Sequence, residues 1–270
     1  MAATTEVEVC EVGPRDGLQN EPEVLDAAVR AELVSRLART GVSRIEIGSF
    51  VSAKRVPQMA EPERVSALAE LPSSVTRAAL VLNERGYERL AATEVGEVHV
   101  AFCVTETFNR RNQGRSVDES VSETQRIIAR AHQDGRRVSV TLAASFGCPF
   151  EGEVSPGRVL SYAEVMGAAD EIVFADTIGC GVPGQVRRLL TGASGLNLPL
   201  GLHLHNTRNT GYANAYAALD CGVSLLDASV AGIGGCPFAP DATGNIATED
   251  LLYLLDREGV RTGIDIDAVI

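Results

Sequence analysis

Two histidines, His203 and His205, stand one residue apart at the end of the short apolar run Leu200–Leu204. On a strand, side chains two apart share a face, so both imidazoles can meet one ion. Other reactive residues follow similar runs. Arg15, Asp16 and Gln19 lie in Gly13-Pro14-Arg15-Asp16-Gly17-Leu18-Gln19-Asn20, Glu46 ends the second run, Asp176 follows the sixth, and Cys236 and Asn245 lie beyond the eighth. Two imidazoles, the Asp16 carboxylate and the Asn245 amide oxygen make a mixed N/O shell without thiolate. Such a set suits an octahedral Mg²⁺ or Mn²⁺ with room for substrate oxygens, whereas structural zinc would want more sulfur. Taken singly, Asp16 and Asn245 read as an N-cap and a turn residue; only a shared position at strand ends makes them ligand candidates.

Cys236 sits in Gly232-Ile233-Gly234-Gly235-Cys236-Pro237. A loop so dense in glycine can change shape and carry a thiol over a site, a better account of this Cys than an inert core thiol. The other five Cys, together with His99 in a strand and His132 on a helix, are read as structural.

Elements must hold these residues at one mouth. Short Val/Ile-rich runs alternate with longer segments of helical period, as in parallel strands joined by crossover helices. Strands are expected at Val7–Glu11, Arg44–Ile47, Thr76–Leu82, Glu97–Phe102, Arg137–Ala143, Glu171–Ala175, Leu200–Leu204 and Leu225–Ser229, and helices at Asp26–Arg39, Ser116–Gln133 and Thr248–Arg257, the last with Thr248 as N-cap. Eight βα units without a Gly-rich nucleotide fingerprint after the first strand favour a (β/α)8 TIM barrel, class α/β, over a doubly wound open sheet. The expected organisation is one domain spanning 1–270. Residues just past the strands would then line the active face.

The 270 residues are 45% hydrophobic and 22% charged, enough to bury a large core. The formal net charge of -12 leaves no basic stripe for a nucleic-acid backbone, although a few Arg side chains and helix N-termini can still hold the phosphates of a CoA ester. No apolar run approaches the ~18 residues that would span a bilayer, and the six scattered Cys with no secretory leader imply reduced thiols and a cytoplasmic location.

With these residues assembled, the chain resembles the 3-hydroxy-3-methylglutaryl-CoA lyase family along nearly its whole length. The likeness rests on residues 11–21, on Ser49-Phe50-Val51-Ser52 with Val56-Pro57-Gln58-Met59, on residues 147–152, on Asp176-Thr177-Ile178-Gly179, and on Ala231 through Pro237 with Gly244-Asn245. It implies a divalent cation held by Asp16, His203, His205 and Asn245, with Arg15 as the catalytic arginine and Cys236 as the catalytic loop cysteine. Glu46 and Asp176 match active-site carboxylates, and Gln19 and Glu249 supporting polar positions. The implied reaction is retro-Claisen cleavage of a 3-hydroxyacyl-CoA, with Asp16 or His203 as base, in leucine breakdown or ketone-body chemistry; a homodimer is compatible with it.

The chain departs from the family pattern at His205-Asn206-Thr207-Arg208-Asn209-Thr210, where members commonly read His-Asp-Thr-Tyr-Gly-Gln, and at Arg55, where an aromatic residue is common. An added guanidinium at Arg208 would favour a substrate with a differently placed carboxylate. A related acyl-CoA such as citramalyl-CoA is the alternative substrate, an acyl-CoA condensing enzyme the alternative reaction, and a retired barrel that binds metal or acyl-CoA the alternative outside enzymes.

Overall fold

A computed structural model describes residues 5–235 and 243–270. Eight parallel strands close in sequence order into one barrel: β1 (Glu8–Glu11), β2 (Arg44–Ser49), β3 (Thr76–Val81), β4 (Glu97–Cys103), β5 (Arg137–Ala143), β6 (Glu171–Asp176), β7 (Leu200–Leu204) and β8 (Leu225–Ala228), with β1 pairing back onto β8. Each lies within two residues of its expected bounds. The helices are α1 (Ala27–Leu37), α2 (Pro62–Leu68), α3 (Glu84–Ala91), α4 (Glu106–Gln113), α5 (Val117–Gln133), α6 (Pro156–Val165), α7 (Pro183–Ala193), α8 (Gly211–Leu219), α9 (Thr248–Arg257) and α10 (Ile266–Val269).

Local chemistry sets the helix ends. Asp26 caps α1 by accepting from Ala28 N at 2.8 Å, and Ser116 with Glu119 forms a reciprocal capping box on α5. The expected N-cap of α9 is displaced by one residue, because Ala247 occupies that position and Thr248 instead donates its hydroxyl to Glu11 Oε2 at 2.6 Å. A buried carboxylate needs donors more than a helix end does.

Apolar packing is concentrated between the strands and the surrounding helices, where Val9, Ile45, Ile47, Val98, Val100, Leu142 and Phe174 face outward into one large cluster. Among the described residues, Cys10, Val12, Val173 and Leu225 form a small separate apolar group inside the barrel. Much of the remaining interior is charged. Buried Arg44 on β2 meets Glu8 at 2.6 Å, Glu97 at 2.9 Å and Glu171 at 2.7 Å, closing the end of the barrel opposite the site, with the exposed Arg137 a further 3.5 Å from Glu97.

The register of β2 on β3 slips between Glu46, which pairs with Ala78, and Ser49, which pairs with Leu80. One extra residue on β2 bends that strand just past Glu46.

Candidate active site and metal centre

Asp16 reaches the barrel mouth on a wide turn, Gly13–Gly17, in which the backbone N–H groups of Arg15, Asp16 and Gly17 all point at the Val12 carbonyl. His203 and His205 project from the end of β7 on one face, as two-residue spacing requires. Their Nε2 atoms lie 3.1 Å apart, and Asp16 Oδ2 is 3.7 Å from His203 Nε2 and 3.8 Å from His205 Nε2. Asp16, His203 and His205 can thus offer three ligand atoms within 4.8 Å of one another. Neighbouring donors around a small octahedral ion stand roughly 3 Å apart, so modest contraction would seat one.

Asn245, beside β7 through a bridge to His205, donates from Nδ2 to Asp16 Oδ2 at 3.0 Å and to the Ile233 carbonyl at 3.1 Å. Its Oδ1 is buried with no hydrogen-bond partner among the described residues. A buried acceptor left unsatisfied next to a carboxylate and two imidazoles fits a cation, which would supply the missing positive charge. Burial would raise Asp16, but Arg15 and the two imidazoles outweigh it and hold the carboxyl well below the usual carboxylate range. With two oxygen donors, two nitrogen donors and no thiolate, this set suits Mg²⁺ or Mn²⁺ with room for substrate oxygens.

Arg15 stands between two acids. It donates from Nη1 to Asp16 Oδ1 and from Nε to Glu46 Oε2 at 2.5 Å. Glu46, fully buried on β2, is held below its ordinary range against the effect of burial, chiefly by Arg15 and by a hydrogen bond from His99. Arg15, Asp16, Gln19, Glu46, His203 and His205 all line one cavity of about 880 Å³, whose wall also includes Gly235, Arg55 and Arg115. Cys236 lies outside the described residues.

Two of the expected site residues do their bonding away from that cavity. Asp176 ends β6, yet its two oxygens accept from Cys180 N and Gly181 N, each at 2.9 Å, so that it shapes the loop after β6. Glu249 accepts from Ala231 N at 3.0 and 3.1 Å and anchors the loop after β8, where Ala231 takes a left-handed φ of 57°. Arg208 is exposed and does not line the cavity, because the turn after Asn206 carries it outward; Asn206 Oδ1 caps that turn by accepting from Gly211 N at 3.2 Å. The geometry gives no support to Arg208 as a reader of substrate carboxylates.

Three participants are missing from the sequence reading. Asp227 on β8 accepts from His203 Nδ1 at 3.1 Å, which orients that ring and leaves Nε2 for the cation. His99 lines the cavity and contacts Glu46, so its assignment as merely structural is too narrow. Glu11 accepts from Gly13 N, Val230 N and Thr248 Oγ1, and thereby ties the first loop to the last; burial pushes its carboxyl up to about 7 despite these donors. The alternation of Asp227 within Leu225-Leu226-Asp227 could have signalled an inward acid, but nothing local ties Glu11 or His99 to partners on other strands.

Fold and site define a (β/α)8 barrel that carries a candidate divalent-cation centre where its strands end. The chain belongs to the HMGL-like family, whose family model matches residues 6–270, and it is a carbon–carbon lyase of the 3-hydroxy-3-methylglutaryl-CoA lyase group. It is 47% identical to the (R)-citramalyl-CoA lyase of Chloroflexus aurantiacus, over 98% of this chain and 88% of that protein. Identity to the hydroxymethylglutaryl-CoA lyase of Pseudomonas mevalonii is 43%, over 97% and 89%. Among solved structures, the hydroxymethylglutaryl-CoA lyase of Pseudomonas aeruginosa superposes with a TM-score of 0.95 at 40% identity, covering 100% of this chain and 91% of that one. An HMG-CoA lyase from Acinetobacter baumannii, in complex with coenzyme A and 3-methylmalate, gives 0.93 at 36% identity, covering 100% and 89%. Among the described residues no helix is long and apolar enough to cross a membrane.

Proposed function

We propose that this protein catalyses divalent-cation-dependent retro-Claisen cleavage of a branched 3-hydroxyacyl-CoA, with 3-hydroxy-3-methylglutaryl-CoA as the first candidate. The observation that carries the reading is the convergence of Asp16, His203 and His205 with the Arg15–Glu46 pair on one cavity. A cation held by Asp16, His203, His205 and Asn245 would lower the pKa of the substrate's tertiary hydroxyl.

Asp16 accepts the hydroxyl proton, because His203, with Nε2 given to the cation and Nδ1 donating to Asp227, has no lone pair left for it. The bond between the carbon next to the thioester and the carbinol carbon then breaks. Its electron pair passes to the thioester as an enolate, and the carbinol carbon becomes the carbonyl of the oxo acid. Arg15 supplies positive charge for the enolate oxygen, and a proton delivered to the enolate carbon, by Cys236 or a water it positions, completes acetyl-CoA. Arg55 and Arg115 provide cationic groups on the same cavity for the polyanionic CoA portion.

Citramalyl-CoA is the second reading, favoured by the 47% identity to (R)-citramalyl-CoA lyase. It carries its carboxylate directly on the carbinol carbon, so cleavage leaves a 2-oxo acid where the first candidate leaves a 3-oxo acid. Incubation of purified protein and Mg²⁺ or Mn²⁺ with both thioesters, followed by mass spectrometry, separates them: pyruvate marks citramalyl-CoA and acetoacetate marks 3-hydroxy-3-methylglutaryl-CoA. Release of acetyl-CoA from neither, nor from a wider 3-hydroxyacyl-CoA panel, would overturn the reading.

A further inference from the structure

His99 is unused in the reaction as described, yet its surroundings are unusual. It projects inward from β4, 8% exposed on the cavity wall, with Nδ1 3.1 Å from Glu46 Oε1 and Nε2 3.2 Å from Glu97 Oε1. Ionised carboxylates only accept hydrogen bonds. Both ring nitrogens can therefore be satisfied at once only if both carry protons. Glu46 has one partner for each oxygen, His99 at Oε1 and Arg15 Nε at Oε2. On the far side, Glu97 is shared with Arg44, which continues the alternation of charge to Glu171.

We propose that His99 is a positioning residue for the lyase reaction: as an imidazolium it holds Glu46 ionised and oriented, and Glu46 in turn fixes the Arg15 guanidinium on the cavity. What Arg15 is held for rests on the retro-Claisen reading; the holding itself does not. The Glu46 carboxylate is 0% exposed, so removing its donor would leave Oε1 buried and unsatisfied. The carboxyl would respond by taking a proton or by rotating toward another donor, and either response loosens the bond to Arg15 Nε. Burial alone would lower the His99 pKa, but the two carboxylates push it up to about 10, in keeping with a doubly protonated ring at neutral pH.

The test combines ¹⁵N NMR of the side chains with steady-state kinetics on wild type, His99→Val, His99→Gln and His99→Lys, all with Mg²⁺ present. In wild type at neutral pH, both His99 ring nitrogens should show imidazolium shifts, and Arg15 Nε–H should give a slowly exchanging signal. In His99→Val that signal should exchange quickly, and kcat should fall about 10²-fold, the scale expected for a displaced active-site group, with KM nearly unchanged. Affinity for Mn²⁺ alone should change far less than in His203→Ala, because His99 itself touches no cation ligand and acts on Asp16 only through Arg15. His99→Lys should recover much of kcat by restoring a donor cation, and His99→Gln supplies the loss-of-cation result if the valine variant does not fold. A neutral His99 ring, or an Arg15 signal unaffected by the loss of the cation, would overturn the proposal. Wild-type protein that cleaves no thioester would defeat the retro-Claisen reading, while the NMR comparison would still decide the role of His99.

Discussion

Asn245 Nδ2 donates to Asp16 Oδ2 at 3.0 Å across 229 positions of sequence, while Asn245 Oδ1 is buried with no partner among the described residues. The first and last βα loops therefore meet at a single carboxylate, and the amide oxygen is the group proposed to face the cation. Asn245→Ala should weaken Mn²⁺ binding by roughly tenfold or more, and His203→Ala or His205→Ala should reduce both affinity and turnover, since each removes a proposed ligand. Exhaustive chelation should abolish turnover, and Mn²⁺ should restore it. Calorimetric titration with Mn²⁺ checks the ligands independently of any substrate; unchanged affinity in all three variants would remove them from the shell.

Arg44→Met tests the ion cluster at the opposite end. It leaves Glu8, Glu97 and Glu171 facing one another without the guanidinium that now meets all three at 2.6–2.9 Å. Breaking a buried pair by deleting one partner costs about 3–5 kcal/mol, so the variant should unfold at distinctly lower urea concentration. Burial already raises Glu171 above its ordinary range even with Arg44 present, and this tendency should grow without it. A denaturation midpoint equal to that of wild type would contradict the role given to Arg44.

The pH dependence of stability should carry a signature of His99. Its pKa is raised from 6.5 to about 10 on folding, so the folded protein binds the proton more tightly than the unfolded chain. The contribution is fully present below pH 6.5 and is lost as pH rises through about 10. The stability difference between wild type and His99→Val should accordingly shrink across that window. Denaturant melts at intervals of half a pH unit would measure it, and a constant difference would show that the ring is not a cation in the folded state.

Cys236→Ser should retain the fold and the affinity for Mn²⁺, while turnover drops on the order of 10²–10⁴, as for loss of a positioned proton donor. Equal turnover with an earlier thermal transition would instead assign the thiol to packing.

The sequence alone determined that βα units repeat eight times and where each strand lies to within two residues, because both are local properties: apolar period, turn residues and strand length. It also singled out His203 and His205, since imidazoles two apart on a strand share a face whatever surrounds them, and Asp16 and Asn245 by their shared place beyond strand ends and the family resemblance. Only closure of the barrel decided which of these residues meet. Pairing β1 with β8 sets Glu11 against the backbone of Val230 and the hydroxyl of Thr248, and the ordering of β2, β4 and β6 around the barrel sets Arg44 between Glu97 and Glu171. The same closure turned His99 from an apparent core histidine into a neighbour of Glu46. Partners on different strands leave no periodic trace in the chain, and a buried charge is tolerated only where the fold delivers its counter-charge. That pairing exists in three dimensions before it can be read in one.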